Sequence, residues 1–136
     1  MAALTEPRNT KITKGVVRSF PLAAVKALAG GIAVMNSSGF AEPATAATGK
    51  KVLGMFEETV DNTGGAAGAL SVKVRNAPDE AYLFADGAAP GAATNANIGD
   101  TVYAADDQTV VLDSTGRSAV GVIDEIATDG LRIRFS

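Results

Sequence analysis

The stretch Ala119-Val120-Gly121-Val122-Ile123-Asp124-Glu125 has a counterpart earlier in the chain, Val52-Leu53-Gly54-Met55-Phe56-Glu57-Glu58. Each stretch has two apolar residues, a glycine, two more apolar residues and then two acidic residues. Short apolar runs bounded by polar residues are typical of β-strands. A strand pattern that occurs twice predicts one compact β domain built from related halves. Duplication and convergence on a common strand pattern both explain the likeness.

The segments on either side of the two stretches agree as well. Gly31-Ile32-Ala33-Val34 precedes the first, and Gly99-Asp100-Thr101-Val102-Tyr103 precedes the second. An alternation of apolar and polar residues follows each, in Leu70 to Arg75 and in Leu131 to Phe135, and predicts strands with one buried face. The predicted halves of the pseudo-repeat are residues 31–75 and 99–135.

Turn-forming residues divide the chain into about eight to ten short strands, which is typical of sandwiches and barrels. Asp129-Gly130 is a strong hairpin signal between the last two strands. Leu22 to Leu28 predicts one or two helical turns, which Gly30-Gly31 ends. The predicted fold is all-β, an antiparallel β-sandwich or jelly-roll-like barrel with an extended N-terminal arm. The arm is predicted at residues 1–13 and a single β domain at residues 14–136.

The composition argues against an enzyme. The chain of 136 residues has no cysteine, no histidine and no tryptophan. It therefore lacks a thiolate nucleophile, the usual general base and the commonest metal ligand. No apolar run reaches the roughly 18 residues of a membrane-spanning helix. We expect a protein without enzymatic activity, cofactor, metal or membrane span.

Acidic clusters and a glycine-rich segment are candidate sites in the sequence. Asp106, Asp107 and Asp113 offer oxygen ligands for calcium, but their spacing matches no EF-hand and a solvated turn explains it more simply. Gly64 to Gly68 lacks the Lys-Ser/Thr and the helix of a phosphate-binding loop. A flexible hairpin tip is the preferred interpretation of that segment.

Two patterns of charge follow the strands. The paired carboxylates Glu57-Glu58 and Asp124-Glu125 suggest a glycosidase only weakly, because no aromatic sugar platform accompanies them. Basic residues alternate with apolar ones on two strands, which predicts either a basic surface for an acidic partner or, preferably, an ordinary polar sheet face. These basic residues are Lys73, Arg75, Arg132 and Arg134.

Charge is divided unevenly along the chain, whose net charge is −3. Residues 1–26 contain five basic residues and one acidic residue, and the remainder contains seven basic and fourteen acidic residues. A basic N-terminal arm on an acidic body has two interpretations. It docks on an acidic partner surface or on nucleic acid, or it is a solvated terminus without a partner. We expect the partner to be contacted by Arg8, Lys11, Lys14 and Arg18, with Phe20 anchoring the arm to the body.

The second half resembles small capsid decoration proteins of tailed bacteriophages. The resemblance lies in Ile98 to Tyr103, with its Gly-Asp-x-Val-Tyr strand, in Ser118 to Ile123, with its x-Val-Gly-Val strand, and in the closing alternation of Asp129 to Phe135. The first half, from Gly31 to Arg75, resembles the upstream part of the same proteins. Coverage is roughly residues 30–136.

The resemblance implies a cement protein of the virion, bound to the outer surface of a head assembled in the host cytoplasm. The basic arm residues named above, with Phe20, are then its predicted capsid-contact residues. Its implied partners are the major capsid protein and further copies of itself, as a homodimer or homotrimer, with no direct contact to nucleic acid or membrane. The alternative hypothesis is a host- or glycan-binding β module on a virion or cell surface. A hydrolase-associated β domain is a third hypothesis.

Overall fold

The computed structural model describes residue 3 and residues 5–8, 16–87 and 93–136. These residues are almost entirely strands and loops, with one short 3-10 helix at Asn95–Asn97. No helix within the described ranges is long and apolar enough to cross a membrane. The strands are β1 (Val17–Pro21), β2 (Lys26–Ala27), β3 (Ile32–Met35), β4 (Ala41–Pro43), β5 (Lys51–Phe56), β6 (Val60–Asp61), β7 (Ser71–Arg75), β8 (Tyr82–Asp86), β9 (Thr101–Ala104), β10 (Thr109–Val111), β11 (Ala119–Ala127) and β12 (Gly130–Phe135).

The strands form a sandwich-like all-β arrangement, as predicted. A 5-stranded sheet has the order β1-β7-β5-β3-β4, and a closed barrel has the order β10-β8-β12-β11-β9. The short strands β2 and β6 pair separately. Pairing within the sheet and barrel is antiparallel except between β8 and β10, which run parallel. The predicted antiparallel architecture is therefore confirmed, with one parallel pair where the barrel closes.

The sheet and the barrel share one order of pairing. Strands β1, β7, β5, β3 and β4 of the first half correspond in order to β8, β12, β11, β9 and β10 of the second. A register shift lies at the corresponding place in each half and leaves Leu53 or Val120 as the extra residue of a β-bulge. Duplication as the origin of this order stays a prediction, as do the bounds predicted for the arm and the domain.

Hydrogen bonds from β8 to β10 close the barrel of the second half. The N–H of Ala85 donates to the carbonyl oxygen of Gln108 at 2.9 Å, and the N–H of Gly87 donates to Val110, also at 2.9 Å. Both donors point away from β12, because alternate residues of a strand turn their N–H groups to opposite sides.

The first half repeats only part of this closure. The N–H of Ala23 donates to the carbonyl oxygen of Ala41 at 2.9 Å, and Leu22 forms an isolated parallel bridge to the same residue. The registers place Pro21 where the second half has Ala85. Because proline has no N–H, the bond that Ala85 makes has no equivalent. Within the described residues, the pairing of β1 with β4 is therefore limited to this one bridge.

The buried apolar residues form two clusters. The first cluster is built around Leu22 and Phe56, and the barrel cluster joins the buried residues of the barrel to Ile32 and Val34 of the first half. Strand β3 joins the two, because Ala33 faces the first cluster while Ile32 and Val34 pack into the barrel cluster. This alternation along one strand places both halves on a shared core.

The segment from Leu22 to Leu28 is not helical, so the predicted helical turns are wrong. It contains β2, which pairs with β6 and buries Ala27. Tertiary contacts outweigh helix propensity here. The buried side chain of Asn62 contributes to them: its amide donates to the carbonyl oxygens of Leu22, Ala23 and Ala66 at 3.2, 3.2 and 3.0 Å.

Candidate binding surface at the first strand

A groove of about 340 Å³ opens beside β1, between the first sheet and the end of β12. Its walls are mainly apolar, with an arginine and an asparagine at the rim. The residues that line it include Val16, Arg18, Phe20, Leu53, Asn76 and Phe135.

The groove is the open end of the first half's interior. In the barrel, the corresponding positions hold Tyr82 and Phe135, whose rings lie 4.8 Å apart between centroids and fill that end. The registers place Arg18 and Asn76 at these positions in the first half. Neither polar side chain can complete an apolar interior, so the first half keeps an accessible end.

The outer edge of strand β1 is open beside the groove from Val17 to Ser19. The carbonyl oxygen of Val16 accepts a hydrogen bond from the residue after β7, and the N–H of Leu22 donates to the residue before β7. Even-numbered residues therefore face β7, so the backbone groups of Val17, Ser19 and Pro21 face outward. Within the described part of the chain, Val17 and Ser19 have no outer backbone partner, whereas the bridge between Leu22 and Ala41 places the carbonyl oxygen of Pro21 against the N–H of Ala41.

The predicted capsid-contact residues are only partly described. Lys11 and Lys14 lie outside the described residues, and Arg8 is exposed. Arg18 is exposed on β1, and Phe20 is half-buried there and packs against the first cluster. The structure thus brings Arg18 and Phe20 together on one side of β1, lining the groove.

An ionic network fixes the segment between the halves. Arg75 donates to both carboxylate oxygens of Glu80, at 2.7 and 2.8 Å, and the hydroxyl of Tyr82 donates to Glu80 at 2.8 Å. The same hydroxyl accepts from the N–H of Ala77 at 3.1 Å. Hydrogen bonds from Arg75 and then Tyr82 lower the pKa of Glu80 to about 2. Burial of the side chain is the largest cause of the raised pKa of Tyr82.

Ion pairs also engage the arginines of β12. Arg134 contacts Asp124 at 2.8 Å and donates to the carbonyl oxygen of Pro78 at 2.9 Å. The bond to Asp124 raises the pKa of Arg134. Arg132 lies 4.0 Å from Glu125. These contacts compensate the positive charge, so they favour the polar sheet face over a basic docking surface.

The acidic candidates serve local turns. Asp106 accepts from the N–H of Gln108 at 2.9 Å, and Asp113 accepts from the N–H of Thr115 at 3.0 Å. The bonds from Thr115, and secondarily the charge of Arg117, lower the pKa of Asp113. Within the described ranges, no group of three or more acidic side chains is arranged to hold a metal ion.

The carboxylate pairs have structural contacts too. Glu58 accepts from the N–H of Lys73 at 3.3 Å, and Asp124 lies at a register shift of β11, bound to Arg134.

Asn76 and Phe135 were not singled out from the sequence. Matching the halves residue by residue is the signal that finds them, because it aligns an asparagine with a partly buried aromatic residue.

Comparisons with protein-family models, with curated proteins and with solved structures found no significant match. The resemblance to decoration proteins therefore depends on the motifs quoted above and on no detected relative.

Proposed function

We propose that this chain is a structural capsid decoration protein, which binds the outer surface of a tailed-phage head and bridges neighbouring major capsid subunits. The observation that carries the proposal is the surface at β1. There, an exposed arginine and an apolar groove lie beside Val16, where the described body begins.

This surface suits attachment to a protein. Arg18 offers a planar, permanently charged donor to a carboxylate, and the groove beside it offers apolar contact. A module used in many copies on a lattice needs little affinity for each contact, because multivalent attachment raises the effective concentration. The basic residues before β1 would add attraction to an acidic capsid surface that weakens with salt.

Cosedimentation with heads tests the proposal. The heads are assembled from the major capsid protein encoded in the same genome and lack any decoration protein. We expect saturable binding at a fixed copy number in low salt and weaker binding in high salt. A genome without a capsid gene, or heads that bind nothing in either salt, would refute the capsid role and favour a host- or glycan-binding module.

A further inference from the structure

The groove beside β1 lies at an end of the first half that aromatic rings fill in the second. In the barrel, Tyr82 and Phe135 occupy this end with ring centroids 4.8 Å apart, and Phe135 also lies 5.9 Å from Phe84. The first half has Arg18 and Asn76 at the corresponding positions, and a groove of about 340 Å³ remains there. The second half therefore indicates what fits the first, which is a flat apolar ring.

The rim of the groove adds a positive charge to this apolar space. Leu53 and Val74 contribute to its walls, and Arg18 is exposed beside them. Among the described residues, no carboxylate lies within ion-pair distance of Arg18, whereas Arg75 and Arg134 are both paired. A guanidinium without a carboxylate of its own is suited to bind one from outside.

Asn76 supplies one polar position inside the groove. Its side-chain amide donates to the carbonyl oxygen of Leu53 at 3.2 Å, and its backbone N–H donates to Val16 at 2.8 Å. No donor in the described ranges reaches its side-chain oxygen. This oxygen can therefore accept a hydrogen bond from the main chain of a bound segment.

We propose that the groove binds an aromatic side chain of an acidic segment of another protein, with a carboxylate next to the ring paired to Arg18. The inference names the chemistry of the partner at the attachment surface, and it rests on the proposed function for the source of that segment, the major capsid protein. Burial of an aromatic side chain removes about 150–250 Å² from water and contributes most of the affinity. The exposed ion pair contributes less and mainly orients the segment.

The chain itself does not supply this segment. Its aromatic residues are five phenylalanines and two tyrosines, all within the described ranges, and each is buried or half-buried. A second copy therefore presents no exposed ring to the groove. The segment before Val16 has no aromatic residue, and its three basic residues and one acidic residue give it a net charge of the same sign as Arg18.

Amide chemical-shift mapping by NMR with short peptides tests this chemistry without any capsid. The probe is Gly-Asp-Phe-Asp-Gly with blocked termini. We expect saturable shifts at Arg18, Asn76 and Phe135, with a dissociation constant of about 1 mM or below. Replacement of the peptide's phenylalanine by alanine should weaken binding about 10-fold or more. No saturable shifts with either peptide, or equal affinity for the two, would overturn the proposal.

Exchange of charge tests the role of Arg18. Gly-Lys-Phe-Lys-Gly should bind the wild-type protein about 3-fold to 5-fold more weakly than the acidic peptide. Arg18→Glu should reverse the order of the two peptides. Lys51→Glu makes the same change of charge at an exposed position on β5 and should keep the wild-type order. An unchanged order in Arg18→Glu, or the same reversal in Lys51→Glu, would refute the pairing with Arg18.

Asn76→Phe closes the groove from within, because it places a phenylalanine where the barrel has Phe135. It should abolish the peptide-induced shifts at Arg18 and Phe135. Ser71→Phe puts the same side chain at the exposed first residue of β7 and should bind as wild type does. Equal loss in both variants would overturn the assignment to the groove, and the peptide comparisons on wild type need neither variant.

Three further outcomes separate this inference from the capsid role. Peptide binding only after removal of residues 2–13 would overturn it, because the chain's own N-terminal segment would then be the occupant. Heads that bind while no peptide binds would overturn it and leave the capsid role standing. Binding that requires both the ring and the acids, in a protein that heads do not bind, would support the groove's chemistry and refute the capsid as its source.

Discussion

Gly54 and Gly121 hold corresponding positions in the two halves, each against the carbonyl oxygen of an arginine on the neighbouring strand. The contact is with Arg75 in the first half and Arg134 in the second. A Cβ atom at either position would overlap that carbonyl. The glycine within each repeated stretch therefore permits close approach of two backbones next to a β-bulge.

Gly121→Ala should lower the free energy of unfolding by about 2–3 kcal/mol, because the new methyl group meets a rigid backbone in a buried strand. Urea denaturation measures this change. Ala119→Ser, at an exposed position two residues earlier on β11, is the control and should stay within about 0.5 kcal/mol of wild type. A stable Gly121→Ala protein would contradict the close approach.

Sequence patterns predicted the strands well where alternation was strong. In β7, Val72 and Val74 are buried and Lys73 is exposed, as a period of two requires. Most of the turns were predictable from a different local signal, because glycine and asparagine mark them.

Long-range closure could not be predicted in the same way. The extent of hydrogen bonding between β1 and β4 depends on the missing N–H of Pro21, which matters only once β4 is known to be the partner strand. The groove likewise exists because Asn76 and Arg18 stand at positions that aromatic residues fill in the barrel. Its detection requires the register of both halves, which no local pattern contains.

Asn62→Ala should destabilise the first half by about 2–3 kcal/mol, because it removes three side-chain hydrogen bonds to backbone carbonyl groups, which keep only their backbone N–H donors. Thermal or urea unfolding provides the measurement. Thr63→Ala, at the exposed next residue, is a control for the loop itself. Hydrogen exchange in Asn62→Ala should increase first around residues 22–25 and 62–68; unchanged protection there would refute the clamp.

Glu80 should make stability depend on acid pH. Its pKa falls from the ordinary 4.5 to about 2 in the folded protein, chiefly through the bonds from Arg75. A lowered folded pKa means that the stabilisation is present above about pH 4.5 and is lost as the pH falls towards 2. We expect the urea midpoint of wild type to fall across this window.

Glu80→Gln isolates that contribution. The variant should be less stable than wild type at pH 6 and should approach it near pH 2, where both lack the charge. Asp61 and Asp113, whose pKa values are also lowered by local hydrogen bonds, would still titrate and account for the remaining slope. Parallel curves for the two proteins would show that Glu80 contributes no pH dependence.

Removal of residues 2–13 should weaken attachment to heads while leaving the fold intact. The deletion removes Arg8 and Lys11, and the described part of this segment is exposed. Because the attraction is between exposed charges, the loss should be largest in low salt, about 10-fold or more in apparent affinity, and small in high salt. Head occupancy at both salt concentrations is the measurement.

Arg18→Glu separates the body's share of attachment from the arm's. Arg18 lines the groove, so reversal of its charge should weaken head binding even when residues 2–13 are present. Lys51→Glu makes the same change of charge at an exposed position on β5 and should bind nearly as wild type does. If the two reversals weaken binding equally, net charge and not the β1 surface governs attachment. If neither Arg18→Glu nor the deletion has an effect, capsid contact lies elsewhere on the molecule.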